Sequence, residues 1–139
     1  MAKSNVALDV RIPSDVRYID GVVELATRKC RELHLPPHKC SLNVRVALAE
    51  AISNAILRGN GEAKDKQVRV RAVVSSDKVV FDVVDEGPGF DLAADRPDPT
   101  SPEHLEQEDG RGLFLMKRLM DNVERFQDDG NVVRLTIKR

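Results

Sequence analysis

The chain has few aromatic residues: 4% of its 139 residues are Phe, Trp or Tyr, and Trp is absent. Its core must therefore be built from aliphatic side chains. Its charges almost cancel, since 22 Lys and Arg stand against 23 Asp and Glu. No overall field therefore favours nucleic acid or an anionic membrane as a partner. No apolar run approaches the ~20 residues that a membrane span needs, and no signal-peptide pattern opens the chain.

Cysteine is scarce as well. The two cysteines, Cys30 and Cys40, form no CxxC pair and lie within helical patterns. We therefore expect free thiols in the core, rather than a redox or metal site, and a reducing cytoplasmic setting. The length fits a single domain, residues 1–139, which can bury about two-thirds of its unfolded surface.

Hydrophobic periodicity predicts five strands and three helices. Ser14 is the expected N-cap of the first helix, and Gly59-Asn60-Gly61 ends the second. In chain order, the predicted elements are strand 6–12, helix 15–33, helix 38–57, strands 67–75 and 78–84, helix 113–120, and strands 123–127 and 132–138.

This order predicts an α+β fold, in which a mostly antiparallel mixed sheet carries about three helices on one face of a two-layer sandwich. The first strand is expected at a sheet edge, and such edges tend to be paired or covered. Residues 91–109 are polar and rich in proline. A segment of that length inside a compact domain is typical of a functional lid or of disorder.

The second helix carries an acid and an amide four residues apart, Glu50 and Asn54. They project about 40° from each other, on a face offset from the expected buried stripe. An amide oxygen is a suitable ligand for Mg²⁺, and a carboxylate can accept a proton from a hydroxyl that attacks a γ-phosphate. Taken alone, the pair also fits an ordinary solvated helix face. The expected stripe consists of Leu42, Val46, Ala49, Ile52 and Ile56.

Two glycine-rich segments follow. Asp85 ends a strand and precedes Gly87 and Gly89, whose missing side chains allow close approach to a flat base. Asp85 can accept a hydrogen bond from an exocyclic amine such as that of adenine, or it can bond its own backbone in a turn.

The second segment, Gly110-Arg111-Gly112, precedes the predicted third helix, and a helix N-terminus can hold phosphate. It matches neither a Walker A loop nor G-x-G-x-x-G, because Leu115 replaces the third glycine. A lid hinge without a ligand stays open as an interpretation, and Arg111 fits either phosphate neutralisation or solvent exposure.

In this order, the three segments resemble the nucleotide site of the GHKL (Bergerat-fold) ATPases. Residues 50–55 are similar to the N box, residues 85–90 to the first glycine box and residues 110–113 to the second. Asp98-Pro99-Thr100, Pro102-Glu103 and the run that ends at Leu119-Met120-Asp121 resemble one subgroup, the anti-sigma factor serine-protein kinases of bacterial partner-switching systems. The resemblance spans residues 6–138.

The resemblance implies a role for each motif residue. Glu50 would be the general base, Asn54 the Mg²⁺ ligand and Asp85 the partner of the adenine amino group of ATP. The nucleotide pocket would further be lined or shaped by the residues of the glycine boxes, namely Gly87, Gly89, Gly110, Arg111, Gly112 and Leu113.

Two positions match the family less closely. Thr136 lies where the superfamily often has a threonine near the adenine, and an exposed strand threonine fits it equally well. Arg58 stands where the N box commonly continues with a histidine. If that position approaches phosphate, Arg58 supplies a permanent charge in place of a titratable one, which bears on the transfer rate rather than on ATP binding.

The resemblance implies an ATP- and Mg²⁺-dependent kinase that phosphorylates a serine of an anti-sigma factor antagonist in trans, sequesters a sigma factor and dimerises through its N-terminal region. The alternative is an ATP-binding sequestration module with negligible kinase activity. The catalytic domain of a two-component histidine kinase fits less well, because no helical hairpin carrying a phosphoacceptor histidine precedes the site. DNA binding fits least, because the sequence has no basic face.

Overall fold

The computed structural model describes residues 4–87 and 108–139, with the backbone alone for residues 108–111. Its five strands form one sheet in the order β1-β2-β3-β5-β4, and every neighbouring pair is antiparallel. β1 and β4 are therefore the edges of the described sheet, as expected for the first strand. The strands are β1 (Asn5–Pro13), β2 (Gln67–Val74), β3 (Lys78–Asp85), β4 (Asn122–Gln127) and β5 (Asn131–Lys138).

Three helices pack with this sheet: α1 (Ile19–Glu32), α2 (Arg45–Asn54) and α3 (Glu108–Leu119). α2 lies between α1 and α3, and it also contacts β3 and β5. π-helical turns at Lys39–Val44 and Ala55–Gly59 extend α2 at both ends. The α+β prediction is confirmed: one antiparallel sheet, three helices and an aliphatic core between them.

The core forms where alternate strand residues meet the helices. β2 and β3 alternate buried and half-buried residues along their length, as a period of two requires. Phe81 of β3 and Leu135 of β5 are cross-strand partners and are both buried. They share the core with Leu48 and Ile52 of α2, whose exposed fraction is 0%.

The other face of the sheet carries a row of alternating charges. The row runs across all five strands through successive cross-strand partners, namely Asp9, Arg71, Asp82, Arg134 and Glu124. Arg134 binds Asp82 through both Nε and Nη2, at 2.8 and 2.9 Å, and stacks over the Phe126 ring. Opposite charges in facing positions stabilise the sheet.

The predicted buried stripe of the second helix is wrong in part. Leu42 is 52% exposed, and Val46 and Ala49 are only half-buried, whereas Ile52 and Ile56 are buried as expected. The buried face of the helix includes several small residues instead. Their size lets the helix approach the sheet and α1 closely. Its members are Cys40, Val44, Ala47, Leu48, Ala51, Ile52, Ala55 and Ile56.

Two predicted helix starts also differ from the structure. Ser14 does not cap a helix, because its hydroxyl donates to the Lys66 carbonyl at 2.7 Å. Asp15 instead caps a short 3₁₀ turn, Val16–Tyr18, by accepting from the Arg17 backbone amide.

α3 begins at Glu108, five residues before the predicted start at Leu113. Helix propensity penalises glycine by about 1 kcal/mol, so the pattern placed Gly110 and Gly112 outside a helix that tertiary packing extends over them.

The helical run Lys39–Gly59 is, by length and composition alone, apolar enough to cross a membrane, contrary to the expectation from apolar runs. A core helix meets the same criterion, and 44% of the apolar window of this run is buried inside the fold.

Cys30 and Cys40 are both free and buried, as predicted. Burial raises the pKa of the Cys30 thiol to about 12 and also raises the pKa of Cys40.

Candidate nucleotide site

Glu50 and Asn54 lie one helical turn apart on α2, on the flank that faces α3, and both are half-buried. Gly112 of α3 lies next to both side chains across this interface. A Cβ added at Gly112 would lie 3.1 Å from Oε2 of Glu50 and 3.2 Å from Nδ2 of Asn54. The second glycine box therefore meets the acid–amide pair, and only a residue without a side chain leaves both groups undisturbed.

The third element is the end of β3. Asp85 is 6% exposed, and its Oδ1 accepts hydrogen bonds from the Gly87 amide at 2.9 Å and from Nδ2 of Asn131 at 2.7 Å. The bond to Gly87 is the turn interaction left open in the sequence. It also fixes the orientation of the carboxylate, and an oriented carboxylate suits recognition of one amine at one place.

The helical run that carries Glu50 and Asn54 ends against this turn. A Cβ at Gly59 would lie 2.2 Å from Oδ2 of Asp85, and a Cβ at Gly87 would lie 1.7 Å from the Gly59 carbonyl oxygen. Both distances are far below van der Waals contact: a Cβ at Gly59 would overlap the Asp85 carboxylate, and a Cβ at Gly87 would overlap the Gly59 backbone. The two backbones can therefore meet only because residue 87 is glycine. This contact joins the acid–amide pair and Asp85 through one continuous helix.

Sequence reasoning missed two buried asparagines at this end of the fold. Asn131, 4% exposed, binds the Asp85 carboxylate and also donates to the Gly87 carbonyl at 3.2 Å. Asn60, also 4% exposed, accepts from the Glu86 amide at 2.7 Å. Each lies beside a glycine in the sequence, a pattern that is typical of turns and points to no further role. No sequence signal marks the role of Asn131, because its partner Asp85 lies on another strand.

The other predicted site residues are placed as follows. Arg58 is exposed in the last π-helical turn of the run. Leu113 is half-buried and packs against the core. Gly110 and Arg111 lie in the first turn of α3, and nothing is described of the Arg111 side chain. Gly89 and most of the predicted lid lie outside the described residues.

Thr136 does not lie near Asp85. It lies on the far face of the sheet, opposite Val80, whereas Asp85 pairs with Asn131 at the other end of the same strand pair. Thr136 lies five positions along β5 from Asn131, which corresponds to about 17 Å. Position and face both place Thr136 away from Asp85.

The oxygen atoms of Glu50 and Asn54 are the candidate ligands for Mg²⁺. Among the described residues, no cluster of three His, Cys, Asp or Glu residues could hold a metal alone. Mg²⁺ instead suits one or two protein oxygens completed by substrate phosphates and water. The Asn54 carboxamide beside the Glu50 carboxylate fits this requirement, so the pair could hold Mg²⁺ with a nucleotide present.

The first turn of α3 has the features of an anion-binding element. The first four amides of a helix have no partner within it, and here they belong to residues 108–111. The helix dipole favours an anion at this end. The start of α3 meets the Glu50–Asn54 pair at Gly112, and the helical run that carries this pair meets the Asp85 turn at Gly59.

Comparison with known proteins assigns the chain to a family. The model of the histidine kinase-like ATPase domain matches residues 12–137, and the chain belongs to this family. It is similar to the anti-sigma F factor of Clostridium beijerinckii, with 32% identity over 99 residues that cover 70% of this chain and 68% of that protein.

Two further relatives are named serine-protein kinase RsbW. The protein of Bacillus velezensis is 29% identical over 141 residues, which cover 98% of this chain and 88% of the relative. The protein of Bacillus subtilis is 29% identical over 134 residues, which cover 93% of this chain and 83% of the relative. The GHKL-like family and the anti-sigma subgroup, both expected from the sequence motifs, are thus confirmed as its relatives.

Proposed function

We propose that this protein is an ATP-dependent serine/threonine protein kinase and anti-sigma factor. It phosphorylates a serine of an anti-sigma factor antagonist and, when not so engaged, sequesters a sigma factor. The names of relatives that cover most of the chain support this role. The observation that carries the proposal is the contact of Gly112 with Glu50 and Asn54, because it joins two of the three nucleotide motifs in one site.

Each motif residue has a chemical role in this proposal. Asp85 accepts a hydrogen bond from the adenine amino group, while Asn131 and the Gly87 amide hold its carboxylate in place. The backbone amides at the start of α3 bind phosphate. Asn54 would hold Mg²⁺, which neutralises phosphate charge when bound. Gly89, Gly110, Arg111 and Leu113 complete the pocket, and Arg58 stands near its end with a permanent charge.

Transfer then needs one proton acceptor. The seryl hydroxyl of the antagonist gives its proton to the Glu50 carboxylate as its oxygen bonds to the γ-phosphorus. The bond between that phosphorus and the bridging oxygen of ADP breaks, and ADP leaves with the electron pair. Glu50 is half-buried beside Gly112, a setting that limits access of water to the reacting oxygen.

Two steps test the proposal. Isothermal calorimetry with ATP and magnesium should detect binding, and its absence in folded protein would reject the nucleotide site. A pull-down from the native cytoplasm, run in ATP and in ADP, then identifies the partners. The purified antagonist is incubated with ATP labelled in its γ-phosphoryl group. Label on a serine supports kinase activity, whereas nucleotide-dependent binding without label supports the sequestration module.

The proposal includes a cytoplasmic homodimer. β1 is an edge of the described sheet, and its outward backbone groups can pair with those of a second copy. Sedimentation should then give a species of twice the 15.5 kDa chain mass. A single species of chain mass at micromolar concentration would contradict it.

A further inference from the structure

Asn60 is the centre of a buried hydrogen-bond network next to Asp85. Its Oδ1 accepts from the Glu86 amide at 2.7 Å, and its Nδ2 donates to the Ser14 hydroxyl at 2.9 Å and to the Gln67 carbonyl at 3.0 Å. Ser14 passes the network on to the Lys66 carbonyl. Asn60 therefore joins the end of β1, the end of the α2 helical run, the start of β2 and the turn after β3.

The orientation of the Asn60 amide is fixed by its surroundings. Glu86 offers a backbone N–H, which only the amide oxygen can accept. Gln67 offers a backbone carbonyl, which needs an N–H donor. Turning the amide over would oppose donor to donor and acceptor to acceptor in a buried place, where unmet partners are costly. The side chain thus has one stable arrangement.

This arrangement acts on the turn that contains Asp85. Asn60 accepts from the backbone amide of Glu86, the residue between Asp85 and Gly87. The Glu86 carboxylate in turn accepts from the backbone amide of Gln67. The preceding residue, Gly59, touches both sides of the same turn. The turn is therefore held by hydrogen bonding from Asn60 and by backbone contact from Gly59.

We infer that Asn60 is a positioning residue for base recognition: through the Glu86 amide, it sets the place of the Asp85 carboxylate relative to the purine. This inference rests on the proposed function, in which Asp85 accepts from the adenine amino group. Asn60 itself is buried and does not touch the nucleotide. Its loss should therefore weaken the discrimination of the purine 6-position more than the binding of the phosphates.

The experiment compares two nucleotides that differ at that position. ATP carries a 6-amino group, and inosine triphosphate carries an oxygen there, which a carboxylate repels. In Asn60→Ala, the Kd for ATP should rise about tenfold, as expected for the loss of about one well-placed hydrogen bond. The Kd for inosine triphosphate should change less than about twofold. The ratio of the two constants, Kd for inosine triphosphate divided by Kd for ATP, therefore falls. Calorimetry and competition at low temperature, with folding checked by circular dichroism, provide both values.

Ser14→Ala is the matched control. It removes a buried partner of the same Asn60 amide, on the side away from Glu86. It should lower the melting temperature and leave the ratio of the two Kd values unchanged. Asn60→Ser keeps a polar group in the network but is too short to reach the Glu86 amide, so it replaces Asn60→Ala if that variant does not fold, with the same expected change in ratio.

The outcomes separate the two proposals. A wild-type protein that binds no ATP rejects the nucleotide site itself. A wild-type protein that binds ATP, with an unchanged ratio in both Asn60 variants or a fall of the ratio in Ser14→Ala, rejects the positioning role alone. Amide hydrogen exchange gives a readout without nucleotide: exchange at Glu86 and Gly87 should accelerate in Asn60→Ala and not in Ser14→Ala. Unchanged exchange at Glu86 would overturn the inference.

Discussion

Asn131 donates its side-chain amide to the carboxylate of Asp85 across the β3–β5 pair, at 2.7 Å and in a buried setting. The same amide reaches the Gly87 carbonyl at 3.2 Å. One side chain thus binds both the strand end and the turn that follows it. The carboxylate is held by groups that do not depend on a ligand, so its geometry is formed before a nucleotide arrives.

Asp85→Asn tests this geometry. The carboxamide oxygen can still accept from the Gly87 N–H and from Nδ2 of Asn131, so the fold should persist. The other carboxylate oxygen is replaced by an NH2 group, which donates and cannot accept from the adenine amine. The Kd for ATP, measured by calorimetry, should rise about 10- to 100-fold. Asp82→Asn is the control, since Asp82 lies on the same strand but faces Arg134 on the far side of the sheet. An equal loss in both variants would contradict a specific role for Asp85.

The two buried thiols should be unreactive in the folded protein. Burial raises the pKa of Cys30 from its ordinary value of 9.0 to about 12, which lowers its thiolate fraction near pH 8 about a thousandfold. An aromatic disulfide reagent should therefore label both cysteines only after unfolding in guanidinium. Rapid labelling of the native protein would show that the α1–α2 contact opens readily.

The same shift predicts a pH dependence of stability. The folded pKa of Cys30 exceeds the unfolded one, so its contribution is fully present below about pH 9 and is lost as the pH rises toward 12. The alkaline loss of melting temperature should therefore be smaller in Cys30→Ala, which has no thiol to ionise. Equal alkaline losses in the two proteins would contradict the shift.

The fold could be predicted because periodicity and turn residues agree along most of the chain. The β2–β3 hairpin and the β4–β5 hairpin lie within one residue of the prediction at each end. The buried face of α2 could not be predicted in full, because alanines such as Ala47 and Ala51 carry a weak hydrophobic signal while their small size decides which face can approach the sheet.

The motifs led us to expect Glu50, Asn54 and Gly112 in one place, and the structure brings them together. Their roles toward a nucleotide stay predictions. Asn131 and Asn60 were missed because their roles come from partners that are 46 and 26 residues away in the chain. Local sequence gives no access to such partners. An asparagine beside a glycine looks the same whether it only makes a turn or also holds a buried carboxylate.

Glu50→Gln separates chemistry from binding. The amide keeps the shape of the side chain beside Gly112 but cannot take the seryl proton. Transfer to the antagonist should fall by about 10²–10⁴-fold, while the Kd for ATP stays nearly unchanged. Glu32→Gln, at the exposed end of α1, is the control and should change neither quantity. Full transfer activity in Glu50→Gln would remove Glu50 from the base role.

The glycine contact between the α2 helical run and the Asp85 turn gives the sharpest prediction for stability. A Cβ at Gly87 would fall 1.7 Å from a backbone oxygen of Gly59, and backbone cannot move aside as a flexible side chain can. Gly87→Ala should therefore lower the free energy of unfolding by more than about 3 kcal/mol.

Gly21→Ala is the matched control, because Gly21 is exposed within α1 and nothing lies within 4 Å of its added Cβ. That variant should gain about 0.5–1 kcal/mol from helix propensity. Urea unfolding gives both values, and similar stability of the two variants would contradict the close approach of Gly59 to Gly87.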